Sequence, residues 1–288
     1  MSTQIHDLGY RAYTGERAGV AWAVRSLARH SVRRALGLKR AGKHKVVPII
    51  TILLTFVPAL VLVGLTAFLP IDPEDLIGYS EYFGTITFAL ILFAAAVAPG
   101  VLTTDRTSGM LAMYLASPLN RTTYVLAKAI GIFSVLMLVC VGPILFLILA
   151  NTLAGVGPGG PLDFLELFVR AAAAGTLTAA FFTGLSMFLS SIPKRWSIAS
   201  VVIVGVLIVP SIIVGVLTEA GGAPDWVSLF TPSAVIGEAR EVIFADRNRP
   251  EWALDRVSST PVVLAAVGYT LASLGLTWWR YQTVEVDR

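Results

Sequence analysis

The run VVPIITILLTFVPALVLVGLTAFL, Val46–Leu69, contains no charged residue. A helix needs about 20 residues, at ~1.5 Å each, to cross a hydrocarbon core of ~30 Å, so this run is long enough to span a bilayer. Working outward, five further runs of the same character follow, near Tyr82–Val101, Tyr124–Ala154, Leu167–Ile192, Ile198–Leu217 and Pro261–Trp279. The chain of 288 residues is 56% hydrophobic and 14% charged, whereas roughly 25% charged is usual in soluble domains. The expected fold is therefore an all-α integral membrane protein with six transmembrane helices, in which residues 1–45 form a cytoplasmic N-terminal segment and 46–288 the six-span transmembrane domain. The third and fourth runs exceed the length of a span and are expected to tilt or to project beyond the bilayer. Pro58, Pro99, Pro143 and Pro210 fall inside spans, where membrane helices tolerate a kink if neighbours satisfy the freed carbonyls.

Lys and Arg set the orientation. Arg11, Arg17, Arg25, Arg29, Arg33, Arg34, Lys39, Arg40, Lys43 and Lys45 precede the first span, while the loop after it carries Asp72, Glu74, Asp75 and Glu81 and no basic residue. The first helix thus runs from inside to outside. Alternation places Arg106, Arg121, Lys128, Lys194 and Arg195 inside, Asp163 and Glu166 outside, and both termini in the cytoplasm of a cell whose inner (plasma) membrane holds the chain. Arg170 falls at the outer end of the fourth span, where Glu166, one turn earlier, is its expected partner. Met1 to Gly19 lacks the apolar core and cleavage site of a secretory signal, so insertion without processing is expected. The net charge of +4 comes mainly from residues beside the first span, which reads as orientation charge and not as a nucleic-acid surface.

Two segments outside the spans are amphipathic. Val20, Val24, Leu27, Val32, Ala35 and Leu36 recur at helical spacing, with Arg25, Arg29, Arg33 and Arg40 on another face, as in a helix lying on a membrane surface; a helix packed on a partner protein has the same pattern. Between the last two spans, residues 218–260 contain Trp226, Phe230, Ile236, Val242 and Phe244. Short re-entrant helices or a small extracellular cap would bury them.

Several chemistries are excluded. No GxxxxGK[ST] phosphate loop occurs, and Gly42-Lys43-His44 follows no strand. His6, His30 and His44 all precede the first span, which removes an HExxH pair and an imidazole relay from the membrane. Cys140 is the only cysteine, so neither an internal disulfide nor a cysteine-rich metal site can form. Spans show no midplane carboxylate of the kind ion-coupled carriers use, with Asp105 placed at or beyond the inner end of the second span. Ser186, Ser190, Ser197 and Ser200 have no base beside them in the spans and read as helix-packing hydroxyls.

The inner loop after the second span carries the most specific signal. It reads Ala98-Pro99-Gly100-Val101, Thr103-Thr104-Asp105-Arg106-Thr107-Ser108-Gly109-Met110-Leu111 and Leu115-Ala116-Ser117-Pro118-Leu119, then Arg121, Tyr124 and Lys128. Thr107 or Ser108 can cap a short helix, Leu111 and Leu115 share one face at i and i+4, and Ser117-Pro118 ends it. This segment resembles the type-2 ABC transporter permease family. An acid and arginine pair, a glycine before an apolar residue, a short leucine-bearing helix, a Ser/Thr-Pro turn, a basic residue and a lysine opening the third span are matched by Asp105, Arg106, Gly109, Leu111, Leu115, Ser117, Pro118, Arg121 and Lys128. Two departures stand out: the acidic and basic run before the glycine is short, and Met110 replaces a small polar residue.

The resemblance implies a permease subunit that catalyses nothing itself. Asp105, Arg106, Gly109, Met110, Leu111, Leu115, Pro118 and Arg121 would form the segment that couples to a separate ABC ATPase. Two ATPase copies would bind ATP and Mg, this chain would bind no cofactor or metal, and a second permease chain, identical or paralogous, would complete the complex. The amphipathic N-terminal helix resembles the family's connector helix, and Phe230-Thr231-Pro232 with Glu238 and Arg240 resembles the entry to its outer short helices. In the family the second and fifth spans line the path, so Gly84, Pro99, Gly100, Gly205, Pro210 and Gly215 are candidate lining residues, or they pack inside one chain. Apolar spans favour export of a hydrophobic or amphipathic substrate. The competing functions are an ATP-independent channel or carrier and a scaffold subunit of a membrane complex.

Overall fold

The computed structural model describes residues 15, 19–38, 42, 45–68, 76–219, 221–245 and 257–283. Arg11, Arg17, Lys39, Arg40, Lys43, Asp72, Glu74, Asp75, His6 and His44 lie outside them. Among the described residues the chain is helical and has no strand. Helix α1 spans Val20–Ala35, α2 Val46–Phe68, α3 Tyr79–Ala96, α4 Ala98–Thr107, α5 Met110–Leu115, α6 Arg121–Leu153, α7 Pro161–Ser191 and α8 Trp196–Glu219. A 3₁₀ turn over Asp225–Phe230 leads into α9, Pro232–Phe244, and α10 covers Ser259–Thr283.

Among the described residues six helices are long and apolar enough to cross a membrane, the second being α3 and α4 taken together, Tyr79–Thr107. Every span but the first begins a few residues before its apolar run, α6 and α7 among them. Asn120 caps α6, its Oδ1 accepting from the Thr123 N–H at 2.8 Å while its own N–H donates to the Thr123 hydroxyl at 2.8 Å. That satisfies two groups that a helix N-terminus otherwise leaves open. Pro161 opens α7 in its first turn, where a missing N–H costs nothing. With 33 residues, α6 is about 50 Å long and exceeds the thickness of a hydrocarbon core.

The core lies between α6 and α7, with α10 and α9 packed on α7 and with α1 and α2 on α6. Of the most apolar stretch of α7, 67% is buried within the chain, against 11% for α8 and 22% for α2, so the first and fifth spans present most of their apolar surface outward. Without a hydrophobic force between helices in lipid, small residues and hydrogen bonds hold such a bundle. Gly131 of α6 is one such residue: a Cβ there would run into the Ser31 side chain and stand 3.1 Å from the Ala28 carbonyl of α1.

Polar side chains sit beside the helical prolines. The Tyr82 hydroxyl of α3 donates to the Thr55 carbonyl near Pro58, and the Ser233 hydroxyl of α9 donates to the Leu207 carbonyl at 2.7 Å near Pro210. Arg170 pairs with Glu166 as the spacing implies, and its guanidinium also donates to the Phe244 carbonyl at the end of α9. In α9, Arg240 is buried against the Phe83 ring at 5.4 Å and the Thr87 hydroxyl at 3.3 Å. Burial pushes its guanidinium down to about 10, which leaves it cationic at neutral pH.

Candidate functional site

The second span breaks at Val97. Pro99 stands in the first turn of α4 and supplies no N–H. At the break the Trp196 indole N–H, from the first residue of α8, donates to the Ala96 carbonyl at 3.3 Å. Gly100 lies beside the indole, and a Cβ there would make an ordinary contact with its nitrogen at 3.6 Å.

Helix α4 then carries Asp105 into the protein. Its side chain is fully buried, not displayed in a loop as its place in the sequence implied. Arg34 Nη1 of α1 lies 2.6 Å from Oδ1, and Lys128 Nζ of α6 lies 2.5 Å from Oδ2. The Tyr124 hydroxyl donates to the same Oδ2 at 3.0 Å. Two cations around one anion leave a net positive charge in a buried place, where an uncompensated charge is costly. Relief comes from the Val101 carbonyl, which accepts from Lys128 at 3.3 Å, and from the faces of Tyr114 and Tyr124, whose centroids are 5.6 and 5.5 Å from Nζ. Tyr124 in turn packs on Tyr281 of α10, ring centroids 5.7 Å apart. Burial, then the negative charge of Asp105, pushes the Tyr114 phenol up while Arg34 pulls it back, so Tyr114 is neutral at physiological pH. One ionic knot therefore ties together α1, α4, α5, α6 and α10.

Between α4 and α6 the chain turns through Gly109, whose φ of 70° is left-handed. The Ser108 hydroxyl donates back to the Thr104 carbonyl at 2.6 Å and that of Thr107 to the Thr103 carbonyl at 3.1 Å. Both hydroxyls thus serve the end of α4, and α5 starts from Gly109 with no side-chain cap. The stripe expected on α5 turns inward: Leu111 is buried and Leu115 half-buried against the core. The outward face is Ala112, Met113 and Ala116, followed by Ser117 and Pro118, with Met113 73% exposed. Met110 is half-buried and Gly109 exposed.

Three arginines close the helix ends around this segment. Arg106 donates to the Ser191 carbonyl at the end of α7, which Arg280 Nε of α10 also reaches at 2.8 Å. Arg121 donates to the Gln282 carbonyl at the end of α10. Cations at helix C-termini satisfy open carbonyls and complement the helix dipole.

The candidate lining residues do not form one surface within the chain. Pro99 is buried, Gly84 is exposed, and Gly100, Gly205, Pro210 and Gly215 are half-buried. A Cβ at Gly84, Gly205 or Gly215 would meet nothing within 4 Å. Sequence reasoning passed over Arg34 and Tyr281, and it treated Tyr124 and Lys128 only as markers of the third span. The one available signal was that Arg34 falls on the same face of α1 as Leu27.

Among the described residues the chain is thus a polytopic helical bundle whose second and third spans are joined by this loop and knot. Residues 23–286 match the family described as ABC-2 family transporter protein, and the chain belongs to that family. It is a multi-pass permease subunit of an ABC transporter, a component that associates with an ABC ATPase. No curated protein matches the chain.

Proposed function

We propose that this permease is the membrane half of an exporter, coupled through the exposed face of α5 to a separate ATPase that binds ATP and Mg. Two permease chains, identical or paralogous, would pair with two ATPase copies. The observation that carries the proposal is the knot around Asp105: α5 shows Met113 outward, while Tyr114, the next residue, lies against Lys128 at the junction of α1, α4 and α6. Met113 and Ala116 offer a small apolar ridge of the kind that a groove on a partner accepts. Gly109 lets α5 turn away from α4, and a push on α5 passes through Tyr114 and Asp105 to four other helices at once.

Orientation follows from charge. The end that carries Arg25, Arg29, Arg33, Lys194 and Arg195 is cytoplasmic by the excess of Lys and Arg, so the ATPase docks there and both termini face it in the inner membrane. Outward-facing apolar surface on α2 and α8 suits a second permease chain and a hydrophobic or amphipathic substrate moving between the two. Gly84 on α3 and Gly205 and Gly215 on α8 would allow close approach along that path.

The test is Met113→Asp in a complex reconstituted with the ATPase subunit. Loss of substrate-stimulated ATP hydrolysis and of transport, with the ATPase active by itself, is expected. Wild-type stimulation in Met113→Asp would sink the coupling role of α5.

A further inference from the structure

Helix α1 has a second face that the knot leaves free. At 3.6 residues per turn, Trp22, Arg25, Arg29 and Arg33 fall within an arc of about 80°, and all four are exposed. Leu27, Ala28, Ser31, Arg34 and Ala35, buried against the bundle, occupy roughly the opposite side. The Arg34–Asp105 ion pair and the close seat of Ser31 on Gly131 fix the roll of the helix, and thereby hold the three other arginines outward. None of the three has a hydrogen-bond or ion-pair partner among the described residues, and α1 contains no acid.

We infer that this stripe is a binding site for the phosphate of anionic phospholipid headgroups. Guanidinium groups grip phosphate oxygens two at a time, and spacing at i, i+4 and i+8 lines three of them along one edge. An exposed Trp22 on the same arc suits the headgroup layer, where indoles accumulate. Apolar surface for acyl chains is present on the bundle: Leu126 and Ile130 are exposed on α6, the helix against which α1 packs, and Ile49 and Leu53 are exposed at the start of α2. An acidic protein surface would satisfy the arginines but gives no role to the exposed indole of Trp22 on the same arc, which favours lipid. The site goes beyond the permease role and rests only on the chain being embedded in a membrane. Bound lipid would brace α1 from outside while Arg34 holds it from inside, making the knot sensitive to membrane charge.

Native mass spectrometry of the full chain, exchanged into equal parts phosphatidylglycerol and phosphatidylcholine, tests this. The wild type is expected to retain phosphatidylglycerol preferentially, and R25Q/R29Q/R33Q to lose that preference by on the order of a hundredfold with phosphatidylcholine retention unchanged. Equal preference in the two proteins overturns the inference. So does a triple variant that keeps the lipid but no longer holds the ATPase subunit, because the face would then belong to a protein. If the triple variant sheds both lipids, the single variants decide: each should weaken phosphatidylglycerol retention by roughly fivefold, and three unchanged single variants overturn the site.

Discussion

Arg34 and Asp105 stand 71 residues apart in the chain and meet in a buried ion pair 2.6 Å long. That contact joins a helix outside the spans to the end of the second span, and its energetics are asymmetric. Asp105→Asn leaves Arg34 and Lys128 facing one another without a counter-ion, a loss of about 3–5 kcal/mol for a buried pair. Arg34→Gln leaves Lys128 in place and should cost less. Thermal unfolding of the two purified variants in detergent checks the order; a milder effect for Asp105→Asn contradicts the knot as described.

Tyr124→Phe removes one hydrogen bond to the charged Oδ2 and keeps the ring over Lys128. A cost of about 1.5–3 kcal/mol is expected, smaller than that of Asp105→Asn. The same unfolding experiment measures it, and no change would mean that the hydroxyl does not reach Asp105.

Gly109→Ala isolates the backbone. No atom lies within 4 Å of the added Cβ, so the only penalty is the left-handed φ, about 1–2 kcal/mol. The expected result is weaker stimulation of the ATPase together with a loss of thermal stability of that size. Gly109→Asn should behave better than Gly109→Ala, because asparagine tolerates this conformation. If both variants couple like the wild type, the turn is not a hinge.

Gly131→Leu should lift α1 from α6, since even a Cβ collides with Ser31. Cleavage within α1 by limited proteolysis should accelerate while the spans stay intact. Protection equal to that of the wild type would show that α1 is held by other contacts.

Trp196→Phe keeps a ring at the start of α8 and loses the bond to the Ala96 carbonyl. A loss of about 1 kcal/mol is expected, with the effect on transport larger than on stability if the break in the second span moves during the cycle. A stability loss with unchanged transport would make Trp196 a static support.

Some of this could be read from residues alone. The apolar runs announce the spans because lipid demands them, and Glu166 with Arg170 is a pair one helical turn apart. Pro99 marked the second span as kinked, although not that Trp196 would serve the freed backbone. The burial of Asp105 was not readable: Arg34 is remote in sequence, and an acid after an apolar run looks like a loop residue until α1 folds over it. The i, i+4 spacing of Leu111 and Leu115 puts them on one stripe, but which side of a six-residue helix faces inward depends on α4 and α6 and not on its own periodicity.

The arginine contacts at the helix ends also bear on how the molecule is made. Arg280 reaches Ser191, Arg121 reaches Gln282, and Tyr281 packs on Tyr124, so each contact involves the last span. During synthesis the first five spans are in the membrane before α10 emerges, and until it docks the carbonyls of α7 lack one of their two caps and Tyr124 lacks a neighbour. Assembly of the end that carries α5 and the knot is thus the closing act of biogenesis, and a chain halted before α10 would have its earlier spans inserted and this end unfinished.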